Sequence, residues 1–159
     1  MKNWIILFCV FNTVSLSGQY LLPEKLKECK IGAFDLEADT ILANYKTIDS
    51  LAYDIYHGLN IQYTNKLRGK IIIQVYVDTL GHSCCISIMN DCNIKSSKLG
   101  IVGSINSLDK WTIPKRFRKK SNVCALIRIK FNESDLVFER IGFNYYTKFK
   151  TLDKVTMKR

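Results

Sequence analysis

The chain has little proline and no spacer. Two prolines and eight glycines are scattered through 159 residues, so no proline-rich, glycine-rich or low-complexity linker separates one part from another. No segment recurs at a solenoid period, which excludes a repeat architecture. The N-terminal apolar run, Trp4 to Val14, is interrupted by Asn12 and Thr13 and falls short of the roughly 20 residues that a membrane-spanning helix needs. Acidic residues are scarce as well: 14 against 24 lysines and arginines, a net charge of +10.

What is present fits one domain. The length suffices for a single modest core, and 47% hydrophobic with 24% charged residues is ordinary for a globular chain. Lys2, the apolar run and the small residues Ser15, Ser17 and Gly18 read as a cleaved signal peptide over residues 1–18. Phe8 before Cys9 does not fit a lipoprotein box. The expected location is therefore periplasmic or secreted, in preference to an inner-membrane anchor. Cleavage leaves Cys29, Cys84, Cys85, Cys92 and Cys124. An oxidising compartment allows pairing, but the odd count and irregular spacing argue against a disulfide framework.

The periodicity predicts helices first and strands later. Pro23 to Lys30 reads as a short helix stopped at Gly32. Ile41, Tyr45, Ile48, Ala52 and Ile55 share one helical face, with Asp35 as N-cap, Glu37 and Asp39 at the positive end and Gly58 as the stop. The alternative is two helices broken near Asn44 to Asp49. Gly69 to Asp78, Ser83 to Met89 and Val123 to Phe131 alternate as strands, with a helix over Leu99 to Leu108 between the last two. A right-handed crossover then gives the strand order 2-1-3, with the third strand at an edge. In the tail, Leu136 to Phe138 reads as a fourth strand after a turn at Asn132 to Asp135, and Lys154 to Arg159 as a frayed end.

Gly69-Lys70, Gln74-Val75, Val77-Asp78 and Gly81 resemble the first hairpin of the TonB C-terminal domain family. Leu108 to Pro114, with Trp111 ahead of Pro114, resembles the end of that family's crossover helix, and Cys124 to Phe131 resembles its last strand. Ile48 to Leu59 is similar to the helix before the first strand. The chain departs from the family in lacking the Tyr-Pro pair before that strand (Tyr63-Thr64 stands there) and in having no proline-rich spacer. The resemblance implies an α+β fold: a small antiparallel sheet of order 2-1-3, with room for a fourth strand from the tail, covered on one face by helices. The chain then divides into a leader at 1–18, an N-terminal helical segment at 19–60, a TonB C-terminal-like domain at 61–132 and an extension at 133–159.

The resemblance also implies a binding mode. A protein or peptide partner in the cell envelope, of the outer-membrane-transporter kind, adds a strand to the exposed edge of Asn122 to Lys130. Val123, Cys124, Leu126, Arg128 and Lys130 are the implied partner-binding residues, and a link to TonB-dependent transmembrane transport extends the same resemblance. The opposing expectation is that Leu136 to Tyr146 covers that edge itself.

Other chemistry is weaker. His82, Cys84, Cys85 and Cys92 invite a zinc reading, but adjacent Cys84 and Cys85 point to opposite faces of a strand and do not converge. Cys85 and Cys124 share an outward face, which makes a disulfide between them conceivable. A nucleophilic pair of His82 or His57 with a thiol has no accompanying oxyanion hole. No catalytic set, metal site or cofactor is expected. Lys115 to Lys120, with Phe117 among them, is the densest basic run. It supports the alternative function, a basic exported module that contacts an anionic polymer or a membrane surface, with no nucleic-acid motif beside it. Trp111 reads as a packing anchor.

Overall fold

The computed structural model describes residues 20–113, 121–144 and 148–158. In chain order the described elements are β1 (Glu24–Lys25), β2 (Phe34–Leu36), β3 (Asn44–Tyr45), α1 (Ile48–Gly58), α2 (Ile61–Thr64), β4 (Gly69–Val77), β5 (Ser83–Asn90), α3 (Ser96–Leu99), α4 (Ile101–Asn106), β6 (Trp111–Thr112), β7 (Asn122–Phe131), β8 (Asp135–Asn144) and β9 (Lys148–Lys158). The leader, the Lys115 to Lys120 run and Tyr145-Tyr146 lie outside the described residues.

The alternating runs make the centre of the molecule. β4 and β5 form a hairpin whose turn needs Gly81 at φ +94. β7 returns antiparallel to β4 along its whole length, and β8 and β9 then add antiparallel beyond it. The main sheet runs β1-β5-β4-β7-β8-β9, with β2 pairing in parallel to the start of β7, and β3 and β6 form a separate small ladder. One face of the sheet carries Ile71, Ile73, Val75, Val77, Val123, Ala125, Ile127, Ile129, Leu136 and Phe138, all buried in a core shared with α1 and α4. Thr47 caps α1 by accepting from the Ser50 N–H at 3.1 Å, and Leu51, Ala52 and Ile55 face the sheet. Burying Leu51 and Ile55 contributes about 1.5–3 kcal/mol each.

The second face is covered too. Leu22 packs with Ile72, Leu126 and Ile141, flanked by Leu21, Met89, Phe143 and Phe149. Gln74 sits fully buried in the middle of this face, where its amide oxygen accepts from Leu21 N–H at 2.9 Å and from the Ser87 hydroxyl. Phe34 stands edge-on to Tyr76, with ring centroids 6.1 Å apart, and Cys29 is bonded to Cys84. The segment from Leu21 to Leu36 is thus a strap across the sheet, tied at both ends and in the middle.

Several expectations are corrected. The fold is not a small sheet with helices as its cover: among the described residues seven strands form the main sheet, and the four helices are short. β5, β4 and β7 stand side by side, but β7 is interior, because the tail supplies two long strands rather than a frayed end. Pro23 to Lys30 holds β1 rather than a helix. Asp35 is in β2, and the helix begins only after Thr47. Tertiary hydrogen bonds override the helical spacing of Ile41 and Tyr45. Glu37 Oε1 takes the Leu42 and Ala43 N–H groups at 3.0 and 2.9 Å, while the Glu37 main chain bonds Cys124 O and Phe143 N. A bulge opposite Gln74/Val75 reverses the phase of β5, so Cys85 and Ile88, not Cys84 and Ile86, face the α1 core.

Candidate partner-binding site

β7 cannot serve as an open edge. Val123 and Cys124 pair with Asp35 and Leu36 on one side and with β4 on the other. Leu126, Arg128 and Lys130 pair with Ile141, Glu139 and Val137 of β8. Val123 belongs to the first core and Leu126 to the second. Cys124 is fully buried, its thiol is pushed up to about 12 by that burial, and it accepts from Gln74 Nε2 at 3.2 Å. Arg128 and Lys130 both point to Glu139, the lysine at 3.3 Å. Burial pushes the Glu139 carboxyl up, but hydrogen bonds and charge from Arg128, and then Lys130, outweigh it and hold the group below its usual range. None of the five residues implied by the resemblance offers free backbone groups.

The histidine–cysteine cluster disperses as well. His82 Nδ1 lies 3.1 Å from Asp78 Oδ2, closing the β4–β5 turn. Cys84 is held by Cys29, Cys85 is buried, and Cys92 is free and half-buried. Burial pushes the Cys85 thiol up to about 12 and the Cys92 thiol up to about 11. Cys85 and Cys124 are not bonded to each other. His57 packs on Tyr53 and Tyr56 rather than on a thiol. Among the described residues no group of three or more His, Cys, Asp or Glu is arranged to hold a metal.

Trp111 is buried between Tyr45, at 5.1 Å edge-on, and the Arg140 guanidinium, 5.0 Å from its ring. Among the described residues no helix is long and apolar enough to cross a membrane. The basic run Lys115 to Lys120 lies outside the described residues, so the alternative built on it gains no geometry.

The described sheet ends at the two-residue β1 on one side and at the long β9 on the other. The inner side of β9 pairs with β8 from Asp135↔Lys158 to Asn144↔Lys148, and no strand pairs its outer side among the described residues. An antiparallel partner satisfies only alternate residues of such a strand; the rest turn N–H and C=O outward. Phe138↔Val155 and Leu136↔Met157 place Val155 and Met157 on the α1 face, where both pack on the first core. Glu139↔Lys154 and Asp135↔Lys158 place the two lysines on the other face. A bulge at Leu152 flips the phase, so that Phe149 joins the second core.

Beside Met157 an open groove of about 390 Å3 runs along α1, lined by Lys46, Asp49, Tyr53, Asp54 and Lys110 among others. Asp54 accepts from the Tyr45 hydroxyl and from Lys110 Nζ, the latter at 2.9 Å. The Tyr45 hydrogen bond, followed by that of Lys110, holds the Asp54 carboxyl below its usual range. Tyr53 is 56% exposed, an aromatic ring facing water beside an unpaired strand. No family model, curated protein or solved structure matches the chain.

The tail covers β7, as the opposing expectation had it, and leaves β9 outermost. The signal for β9 was there: Val155-Thr156-Met157-Lys158 alternates apolar and polar with a β-branched residue at each of its first two positions.

Proposed function

We propose that this chain is an exported binding module of the cell envelope that takes an extended segment of a protein partner onto the outer edge of β9. The observation that carries this reading is an eleven-residue strand, Lys148–Lys158, paired on one side only among the described residues. Strand addition is the mode that the resemblance of Gly69 to Phe131 implies; the pairing strand is β9 instead of β7. A disulfide between Cys29 and Cys84 supports an oxidising compartment. Main-chain hydrogen bonds supply affinity in such a mode, and alternate side chains supply selectivity.

A panel of extended peptides, titrated against the full chain, tests the proposal. Methylating the peptide amides along one backbone edge abolishes binding, while methylating those along the other edge leaves it intact. Equal sensitivity of both edges, or of neither, contradicts strand addition.

A further inference from the structure

Resting on that reading, we infer that the partner segment alternates acidic residues with apolar ones, the acids facing Lys154 and Lys158 and an aromatic or long aliphatic side chain entering the groove beside Met157. The two faces of β9 carry the argument separately.

On the lysine face, cations outnumber anions. Glu139 is the buried carboxylate at the centre of this face, and it already takes both Arg128 and Lys130. Lys154 stands opposite Glu139 in the register as a third cation, with no ion pair of its own among the described residues. Lys158 follows four residues on, opposite Asp135, and is exposed, as Lys154 is; Arg128, Lys130, Lys154 and Lys158 still outnumber Glu139 and Asp135 on this face. Residues directly opposite each other on neighbouring strands have Cβ atoms about 4.5–5.5 Å apart, close enough for opposite charges to attract and like charges to repel. An incoming strand with acids opposite Lys154 and Lys158 completes a charge ladder that the sheet leaves open.

The same lysines disfavour a second copy of the chain as occupant. Lysines outnumber the single acid, Asp153, along β9, so two β9 edges carry like net charge and repel each other. The bulge at Leu152 also interrupts a flat self-pairing register. An acidic heterologous strand meets neither obstacle in the Val155 to Lys158 half.

On the α1 face the groove sets Met157 and Tyr53 among polar and charged side chains. Met157 and the exposed Tyr53 ring border the groove, and of its four charged residues Asp54 and Lys110 pair with each other, while Lys46 and Asp49 also line it. A residue of the added strand opposite Met157 points to this face, because side chains alternate along a strand. The groove, at about 390 Å3, has room for it.

The test uses the full chain and four synthetic extended peptides: alternating Glu and Phe, the same with Gln for Glu, the same with Lys for Glu, and the Glu peptide with Ala for Phe. The Glu–Phe peptide binds about tenfold or more tighter than the Gln form, weakens as salt rises, and outcompetes the Lys form. Lys154→Glu with Lys158→Glu reverses the Glu-over-Lys preference. Both sites are exposed, and an unchanged thermal midpoint reports an intact fold. Tyr53→Ala weakens the Phe peptide and leaves the Ala peptide unaffected. Equal affinity for the Glu and Gln peptides, or no binding of the Glu–Phe peptide at all, overturns the inference. If the neutral peptide binds as well and is blocked by methylation of one edge only, the inference fails while strand addition stands. If the acidic peptide binds with no edge sensitivity, strand addition fails too.

Discussion

Glu37 and Arg140 lie 103 residues apart in the chain and meet as a buried ion pair, with Arg140 Nη2 at 2.6 and 2.5 Å from the two carboxylate oxygens. The glutamate is fully enclosed and the arginine side chain is 4% exposed. The pair fastens the segment between β2 and β3 to β8, and Arg140 also donates to Ala43 O at 3.2 Å. Replacing one partner leaves a buried charge without its counterion. Glu37→Gln therefore destabilises the chain by about 3–5 kcal/mol, a drop in Tm of roughly 10 °C for a domain of this size. The double change Glu37→Gln with Arg140→Met recovers much of that loss, as thermal unfolding followed by circular dichroism will show. Additive losses would contradict the pairing.

The strap across the second sheet face depends on Cys29 and Cys84, which close a separation of 55 residues. Chain-entropy reasoning puts the worth of such a closure at about 4 kcal/mol. Cys29→Ser with Cys84→Ser lowers the urea midpoint accordingly, and a non-reducing digest of the unaltered protein yields the two cysteine peptides as one species. Free alkylation of Cys84 in the native protein would contradict this arrangement.

Two glycines separate close approach from helix propensity. A Cβ on Gly142 would run into the Ala38 carbonyl, where the strap's continuation crosses β8, whereas a Cβ on Gly103 meets nothing within 4 Å. Gly142→Ala costs about 1–3 kcal/mol through forced displacement. Gly103→Ala, inside α4, gains about 0.5–1 kcal/mol. Opposite shifts in Tm are the expected result.

Acid sensitivity follows from Glu139. Its folded-state pKa is lowered from the ordinary 4.5 once Arg128 and Lys130 outweigh the effect of burial. A carboxylate so depressed contributes stability that is fully present above the unfolded value and is lost as pH falls through the folded one. Urea midpoints should hold steady from neutral pH down to the ordinary carboxylate range and then decline. Glu139→Gln flattens the part of that decline which comes from this group.

Much of the sheet was legible in the sequence, because β4 and β7 keep a clean period of two and bury the same parity of residues on α1. Of the tail only Leu136 to Phe138 read as strand, for a physical reason. Glu139 and Arg140 interrupt the apolar run of β8, and they are neutralised by Arg128 and Lys130 on the neighbouring strand and by Glu37 far upstream. A local period cannot register partners so distant. Bulges opposite Gln74/Val75 and Arg140/Ile141 shift the phase of β5 and β9, so strict alternation assigned Cys84 and Cys85 to the wrong faces. Glu37 read as a helix-dipole residue because its spacing fits a helix start, while its carboxylate in fact takes two main-chain N–H groups and Arg140. Which strand lies outermost depended on where β8 and β9 go, and they leave β9 rather than β7 at that end of the described sheet.

Residue-resolved amide hydrogen exchange of the full chain, alone and with the Glu–Phe peptide, decides whether β9 is a working edge. Alternate amides between Phe149 and Lys158 should exchange quickly in the free protein while those of β7 stay protected, since only β7 is flanked on both sides. On adding the peptide, the fast β9 amides should slow and β7 should not change. Uniform protection of β9 in the free protein, or peptide binding that leaves its fast amides fast, would contradict the account.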